Sequence, residues 1–303
     1  MICEKVIICG VVKNGAQTIG PNIAYCVKMS ELFTKCKIVI YENNSTDSTK
    51  QVLNQINHPG VLVMSENISA EYIKQNSKIW AYTKVTGSDH PCRIEQIANA
   101  RNKVLDEINK SEYDEYGYVI WIDLDSAGWN VNGIIDSFVN KYAWDIVYAN
   151  GQDRNRKYYD LYAYRGETIQ PFGPEIIGEH FWANMPNIQL RDHYVPVFSA
   201  FGGLGIYKKE IFKTIRYDCI VNDEVKRFYR NFLKDKEVHG IVSSEDAKFA
   251  GGERDEVTNI FWKNNSGYDN MVVCEHVCFN LAAINAGYKV VINSRLEYFC
   301  ADR

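Results

Sequence analysis

Two carboxylates, Asp123 and Asp125, close a short apolar run at 118–122 (YVIWI). Residues i and i+2 of an extended strand point the same way, and like charges ending so apolar a strand call for a positive partner. Hard carboxylate oxygens suit Mg²⁺ or Mn²⁺, which complete their shells with water and phosphate oxygens. Capping of the following turn accounts for an aspartate pair equally well, since Asp is common at strand ends. Glu42 ends a second apolar run, 37–41 (KIVIY), where a doubly wound sheet offers an acidic residue to a nucleoside. Behind it, Ser45, Thr46 and Asp47 carry helix N-cap chemistry. No G-x-G-x-x-G follows the first strand, which disfavours a dinucleotide and leaves a mononucleotide site with a metal-bound diphosphate.

Two arginines and a Glu-His pair complete the reactive inventory. Arg93 and Arg101 lie eight residues apart in 93–109, near two helical turns, so both guanidinium groups can leave one side of a helix toward phosphates or the metal carboxylates. A solvated helix face is the plainer account of both. Glu275 opens the helix expected at 274–286, where an anion is stabilised. Histidine's unperturbed pKa would suit His276 to act as a base; a metal ligand or a buried helix residue are its other readings.

The elements that must position these groups alternate. Strands are expected at 5–12, 37–41, 60–64 and 118–122, and helices at 17–33, 50–56 and 93–109. That order implies an α/β fold, a mainly parallel, doubly wound central sheet flanked by helices, with ligands at the carboxyl ends of its strands. Residues 67–92 read as a loop over the sheet. Beyond residue 140 the pattern is mixed: strands at 145–148, 161–164, 195–206 and 288–292, and helices at 223–233 and 274–286, the latter ended by Gly287. No repeat or linker divides the 303 residues, so one domain is expected.

Composition narrows the function classes. With 46% hydrophobic and 24% charged residues and 20 Gly, the chain is an ordinary globular one. A net charge of −4 and no basic run give no electrostatic footprint for nucleic acid. No stretch approaches the apolar length of a membrane span, and a cytoplasmic location is expected. Nine dispersed cysteines read as reduced core thiols. The twenty tyrosines and six tryptophans suit either core packing or ring-stacking pockets. Among them Tyr158, Tyr159, Tyr162, Tyr164 and Trp182 are candidates for stacking on sugars. Asp160 and Arg165 read as a pair near a donor sugar. The Gly202–Gly203–Leu204–Gly205 run is either a close backbone approach or a bent strand, and 243–246 with 251–255 read as a lid-like loop.

In order along the chain, VVKNG after the first strand, YENNSTDST after the second and IANARN before the DLD strand resemble GT-A fold glycosyltransferases. IANARN resembles the A-R-N segment of family 2 enzymes, and ENNSTDST their D-D-G-S-T-D-G-T loop. The E-N-N-S-T-D variant is closer to the fungal capsule-associated α-1,3-mannosyltransferases, family 69. So are YDLYAYR at 159–165 and SAFGGLGIY at 199–207. The CEH segment at 274–276 and the AINAGYKVVI tail resemble the E-D segment of family 2.

This resemblance implies one GT-A domain over 1–303, with a nucleotide-binding half at 1–130 and an acceptor-binding and catalytic half at 131–303. It implies hexose transfer from a GDP-sugar (GDP-mannose) or UDP-sugar to a hydroxyl of a glycan or other acceptor, with Mn²⁺ or Mg²⁺. By the same carry-over Asp123 contacts the ribose and the metal, and Asp125 binds the metal. Val12, Asn14, Glu42, Asn44, Arg93, Arg101 and Leu124 line the donor site, with Glu42 reading the nucleoside. Glu275 acts as the base, with His276 beside it. Family 2 has Asp where this chain has His276, and since family 2 inverts and family 69 retains, the stereochemistry stays open. A non-catalytic nucleotide-sugar or glycan-binding protein is the alternative, and a nucleotidyltransferase a lesser one.

Overall fold

Apolar β-branched runs become the strands of one large sheet, and the alternation of their side chains sorts the core onto two faces. The computed structural model describes residues 1–83, 88–178, 180–183, 185–234, 252–258, 260–263 and 271–301. Its first half runs β1 (Ile2–Val12), α1 (Ile19–Ser30), β2 (Phe33–Asn43), α2 (Thr49–Asn54), β3 (Val61–Glu66), α3 (Ala70–Asn76), β4 (Trp80–Thr83), β5 (Ser88–Pro91), α4 (Arg93–Ile108) and β6 (Tyr118–Ile122). The second half follows with β7 (Ser126–Trp129), α5 (Val131–Val139), β8 (Ile146–Gln152), α6 (Pro174–Ile177), α7 (His180–Ala183), β9 (Tyr194–Pro196) and β10 (Leu204–Lys208). It ends with α8 (Asp223–Leu233), β11 (Gly252–Arg254), β12 (Phe261–Lys263), α9 (Glu275–Asn285) and β13 (Val290–Cys300).

The main sheet has the order β3-β2-β1-β6-β10-β8-β13-β7, with β9 also on β13. Strands β3, β2, β1 and β6 run parallel to one another, so their carboxyl ends share one edge. Strand β10 runs antiparallel between β6 and β8, and β13 is parallel to β8 but antiparallel to β7 and β9. The sheet is therefore parallel in its first half and mixed in its second, as the sequence suggests.

Ile7, Cys9, Val39, Tyr41, Val119 and Trp121 pack with α4 and α9 on one face. Val6, Ile8, Ile38, Ile40, Ile120 and Ile122 pack with α1 and α5 on the other. This alternation is the period-2 rule of a sheet covered on both sides. Gly287, at φ +90, ends α9 in the left-handed conformation expected of a helix C-terminal glycine.

Four expectations are corrected. Residues 67–92 are not all loop: they hold α3 and the β4–β5 hairpin, neither of which carries an apolar period. Residues 161–164 form turns rather than a strand, because their backbone groups bind a buried arginine and a glutamine side chain. The strand expected at 195–206 divides into β9 and the start of β10 around Gly202 and Gly203, whose φ values of +63 and +82 no strand adopts. Residues 252–254 form a short hairpin with β12, while 243–246 and Gly251 lie outside the described residues. None of the nine cysteines is in a disulfide.

Candidate active site at the carboxyl edge of the sheet

The loops after β1 and β2 are braced against each other. Asn14 and Asn44 hold left-handed backbone, φ 56 and 54, which Asn tolerates better than other side chains. Asn14 Oδ1 accepts from the Thr46 amide at 2.7 Å, and the Asn14 amide donates to Ser45 Oγ at 3.0 Å. The Gly15 amide donates to Thr49 Oγ1 and the Ala16 amide to Asp47 Oδ2. Hydrogen bonds from Thr49 side chain and backbone, opposed by burial, hold the Asp47 carboxyl below the usual range. Asn44 closes the third strand's loop by exchanging two hydrogen bonds with Ile68. Val12 is buried beneath this arrangement.

Glu42 is fully enclosed, at 0% exposure. One oxygen accepts from the Ser45 amide at 2.8 Å and the other from Ser65 Oγ, with Lys50 Nζ 4.0 Å away. Its carboxylate thus fixes the loop rather than facing an open site. Leu124 is likewise core: it is 1% exposed, and a Cβ on Gly10 would lie 2.7 Å from its Cδ1. What Leu124 offers outward is backbone, and Asn22 of α1 already binds its carbonyl at 2.8 Å. Asn22 also donates to the Ser126 carbonyl and hydroxyl, so one buried amide pins the whole Asp123–Leu124–Asp125 bend.

At that bend the chain gathers four of the expected residues. Arg101 of α4, 3% exposed, donates to Asp123 Oδ1 at 3.3 Å and holds its Nε 3.4 Å from Glu275 Oε1. Three aromatic rings surround the guanidinium, with centroids at 4.8 Å (Phe201), 5.2 Å (Trp121) and 5.5 Å (Tyr217); cation–π attraction in so dry a place is substantial. Among the described residues Arg101 Nε and Nη1 have no hydrogen-bond partner. His276 stacks on Phe201 at 4.0 Å, with Nε2 3.6 Å from Glu275 Oε1. Burial, with the Arg101 charge adding to it, holds the His276 pKa well below its usual value, so the imidazole is neutral at pH 7. Among the described residues both its nitrogens also lack a hydrogen-bond partner. Arg93 is not part of this group: it is exposed at the start of α4, about 12 Å along the axis from Arg101 at 1.5 Å per residue.

Among the described residues the site is short of positive charge. Burial pushes the Asp123 carboxyl up to about 7 despite Arg101, and Asp125, Asp160 and Glu275 push the same way. Burial and Glu275 also raise Asp160, to about 6, against the hydrogen bond from the Gly202 amide. That bond is 3.0 Å, and the adjacent Gly203 carbonyl accepts from the Asp123 amide at 2.9 Å. Gly203 must be glycine, because a Cβ there would sit 2.2 Å from the Tyr298 ring. The Tyr298 hydroxyl in turn donates to the Asp123 carbonyl at 3.0 Å.

These groups fit a divalent cation bearing phosphate. Among the described residues the donors are hard oxygens, the carboxylates gathered here outnumber Arg101, and its buried Nε and Nη1 retain unused N–H groups. Among the described residues no three His, Cys, Asp or Glu side chains converge into an all-protein metal cage. Mg²⁺ and Mn²⁺ sites of this type need only one or two carboxylates, the rest being water and phosphate.

The expected Asp160–Arg165 pair does not form. Arg165 is completely buried and makes a forked ion pair with Glu175 at 2.9 and 3.0 Å, and also donates to the carbonyls of Tyr162 and Tyr164. Asp160 belongs instead with the site carboxylates. Sequence reasoning missed Phe201, which is only an aromatic beside a glycine, Tyr298, which is only an aromatic on a strand, and Tyr217, which lies in an irregular segment with no local signal. A separate cavity of about 660 Å³ lies between α4, residues 214–222 and α9. It shares Tyr217 and Asn102 with the arginine's surroundings but contains none of the four carboxylates.

The sequence profile of the family described as Cryptococcal mannosyltransferase 1 matches residues 5–251. No curated protein sequence matches the chain. Among solved structures, S. aureus TarS 1-349 in complex with UDP-GlcNAc is 12% identical, with 99% of this chain and 59% of that chain covered and a TM-score of 0.46. The glucosyl-3-phosphoglycerate synthase from Mycobacterium tuberculosis is 11% identical over 77% of this chain and 65% of that one, TM-score 0.39. The mannosyl-3-phosphoglycerate synthase from Rubrobacter xylanophilus is 16% identical over 70% and 56%, TM-score 0.37. The chain spans less than two thirds of the length of each. Because the profile match runs from β1 through the 123–125 bend and the glycine pair, the chain belongs to the cryptococcal mannosyltransferase family.

Proposed function

We propose that the chain transfers a hexose from a GDP- or UDP-sugar to a hydroxyl of a glycan or other acceptor, assisted by Mn²⁺ or Mg²⁺. The observation that carries this reading is the excess of carboxylate over cation at the end of β6, where Asp123 is driven up to about 7 with Arg101 as its buried counter-charge. Asp123 and Asp125 would hold the metal. When bound, the ion would act as a Lewis acid on the departing diphosphate.

The chain's own residues supply the rest. The braced Asn14 and Asn44 loops line the nucleotide side, with Glu42 holding them from inside. Arg101 is preorganised by three rings and stabilises negative charge developing at the leaving group, in a place where water does not screen it. Glu275, at the first turn of α9, would take the acceptor's proton. Neutral His276 stacks beside it and fixes its surroundings.

The test is a thermal-shift panel of GDP and UDP with and without Mn²⁺, followed by hydrolysis of GDP-mannose and UDP-sugars. A ligand at about 100 times its Kd stabilises by ~2.7 kcal/mol. Turnover that disappears in Asp125→Ala supports the transferase. Nucleotide binding without turnover of any donor supports a non-catalytic sugar-nucleotide binder instead.

A further inference from the structure

Two cysteines far apart in the chain meet beside the cavity between α4, residues 214–222 and α9. Cys92 is the residue before α4, and Cys219 lines the cavity. Both are buried, at 0% and 2% exposure, in a small apolar cluster completed by Ile79 and Val272. Within it the Cys219 thiol is hydrogen-bonded to the Cys92 thiol. That contact, together with burial, pushes the Cys219 thiol above its usual pKa.

The two backbones are pinned on both sides of the contact. The Cys92 amide donates to the Ile79 carbonyl at 2.9 Å, and its carbonyl accepts from the Gln96 amide at 3.1 Å. The Cys219 amide donates to Asp218 Oδ1 at 2.7 Å, and its carbonyl accepts from the Val273 amide at 2.9 Å. Cys278 lines the same cavity, but its thiol donates to the Ile220 carbonyl at 3.2 Å. Among the described residues no three His, Cys, Asp or Glu side chains are grouped to hold a metal, which sets a structural zinc site aside. Two fixed thiols in contact are what a disulfide needs, since it bridges only cysteines whose side chains already lie close.

We propose that Cys92 and Cys219 are a disulfide-forming pair, a covalent cross-link between the start of α4 and the segment that carries Tyr217. The step is thiol–disulfide exchange with a small disulfide such as oxidised glutathione. The thiolate of one cysteine attacks a sulfur of the oxidant, forming a mixed disulfide and releasing one glutathione thiolate. The second cysteine attacks the protein sulfur of that mixed disulfide and releases the other. The two thiol protons pass to the two glutathiones, so two cysteines are oxidised and one glutathione disulfide is reduced. Because the thiolate is the attacking form and both thiols are buried once folded, the bond is made while the chain folds in an oxidising medium. It then joins two of the segments around Arg101, since α4 bears the arginine and the Tyr217 ring lies 5.5 Å from it. The cross-link does not depend on the transferase reading.

The test is to express the full chain in cells with an oxidising cytoplasm, denature and alkylate it without reduction, and map linked peptides by mass spectrometry. The expected result is a peptide pair joining Cys92 to Cys219, with two of the nine thiols protected from alkylation. The melting temperature of the same oxidised protein should fall by about 5–10 °C on adding dithiothreitol, because the bond closes a long loop. Cys92→Ser should melt at one temperature with and without the reductant. Alkylation of all nine thiols, a link between another pair in place of this one, or a Cys92→Ser melt that keeps the reductant's effect would each overturn the cross-link.

Discussion

Replacing Arg101 with methionine tests the electrostatic account of the site. The side chain is 3% exposed, bonded to Asp123 at 3.3 Å and 3.4 Å from Glu275. Methionine keeps much of the stem's packing but leaves two carboxylates with no cation. Breaking a fully buried pair costs about 3–5 kcal/mol. Here Asp123 is 30% exposed at its side chain and can escape by protonation, so a loss of about 2–3 kcal/mol at pH 8 is the scaled value. Without Arg101 the folded pKa of Asp123 rises further above its unfolded value. A raised carboxyl favours the folded state while protonated and loses that benefit as pH climbs through the folded pKa. The deficit of the variant must therefore be larger at pH 8 than at pH 5.5. The lost cation–π contacts, about 0.5–2 kcal/mol, remain at both. Paired thermal melts are the assay, with a drop of roughly 4–9 °C expected at pH 8 for a chain of this size and a clearly smaller one at pH 5.5. Equal deficits at the two pH values, or none at pH 8, would refute the charge-deficit argument.

Gly203→Ala should lower stability by at least about 2 kcal/mol, because the new Cβ meets the Tyr298 ring at 2.2 Å in backbone at φ +82; a melt within 2 °C of the unmutated chain, at about 2 °C per kcal/mol or more, would contradict it. His276→Phe preserves the stack on Phe201 and removes a histidine whose pKa is depressed by burial. A depressed histidine contributes stability that is lost as pH falls below its unfolded value of about 6.5. The variant should therefore lose less stability than the unmutated chain between pH 7.5 and 5.5, and identical slopes would show that His276 does not resist protonation. Glu175→Ala strands the buried Arg165 charge and should cost about 3–5 kcal/mol, read as a thermal melt; a cost under about 1 kcal/mol would place that pair in water.

What the sequence disclosed, and what it withheld, follows the range over which each signal acts. The run YVIWI became β6 with the bounds expected of it, and α8 likewise, because burial period and end chemistry are both local. Asp123 stood out because charge ending an apolar strand is itself a local anomaly. The ring of Phe201, Trp121 and Tyr217 around Arg101 comes from three separate segments, and no spacing encodes it. Arg165 was given the wrong partner since Asp160 is nearer along the chain, whereas the turns at 161–170 fold Glu175 back onto it. The β4–β5 pair was hidden because its second strand, SDHP, is polar and exposed up to Pro91. Strand β13 outran its expected end at 292 because Asn293 is buried by hydrogen bonds to Asp136 and Ser137 rather than by apolar contacts.

The Gly202–Gly203 dipeptide has one more consequence. One of its amides is held by Asp160 while the next carbonyl holds the amide of Asp123. The two loops are thus rungs of one ladder, and neither shifts without dragging its fellow. If occupation of one loop changes affinity at the other, thermodynamic reciprocity makes the factor the same in both directions. Donor and acceptor titrations, each repeated in the presence of the other, should close the same cycle.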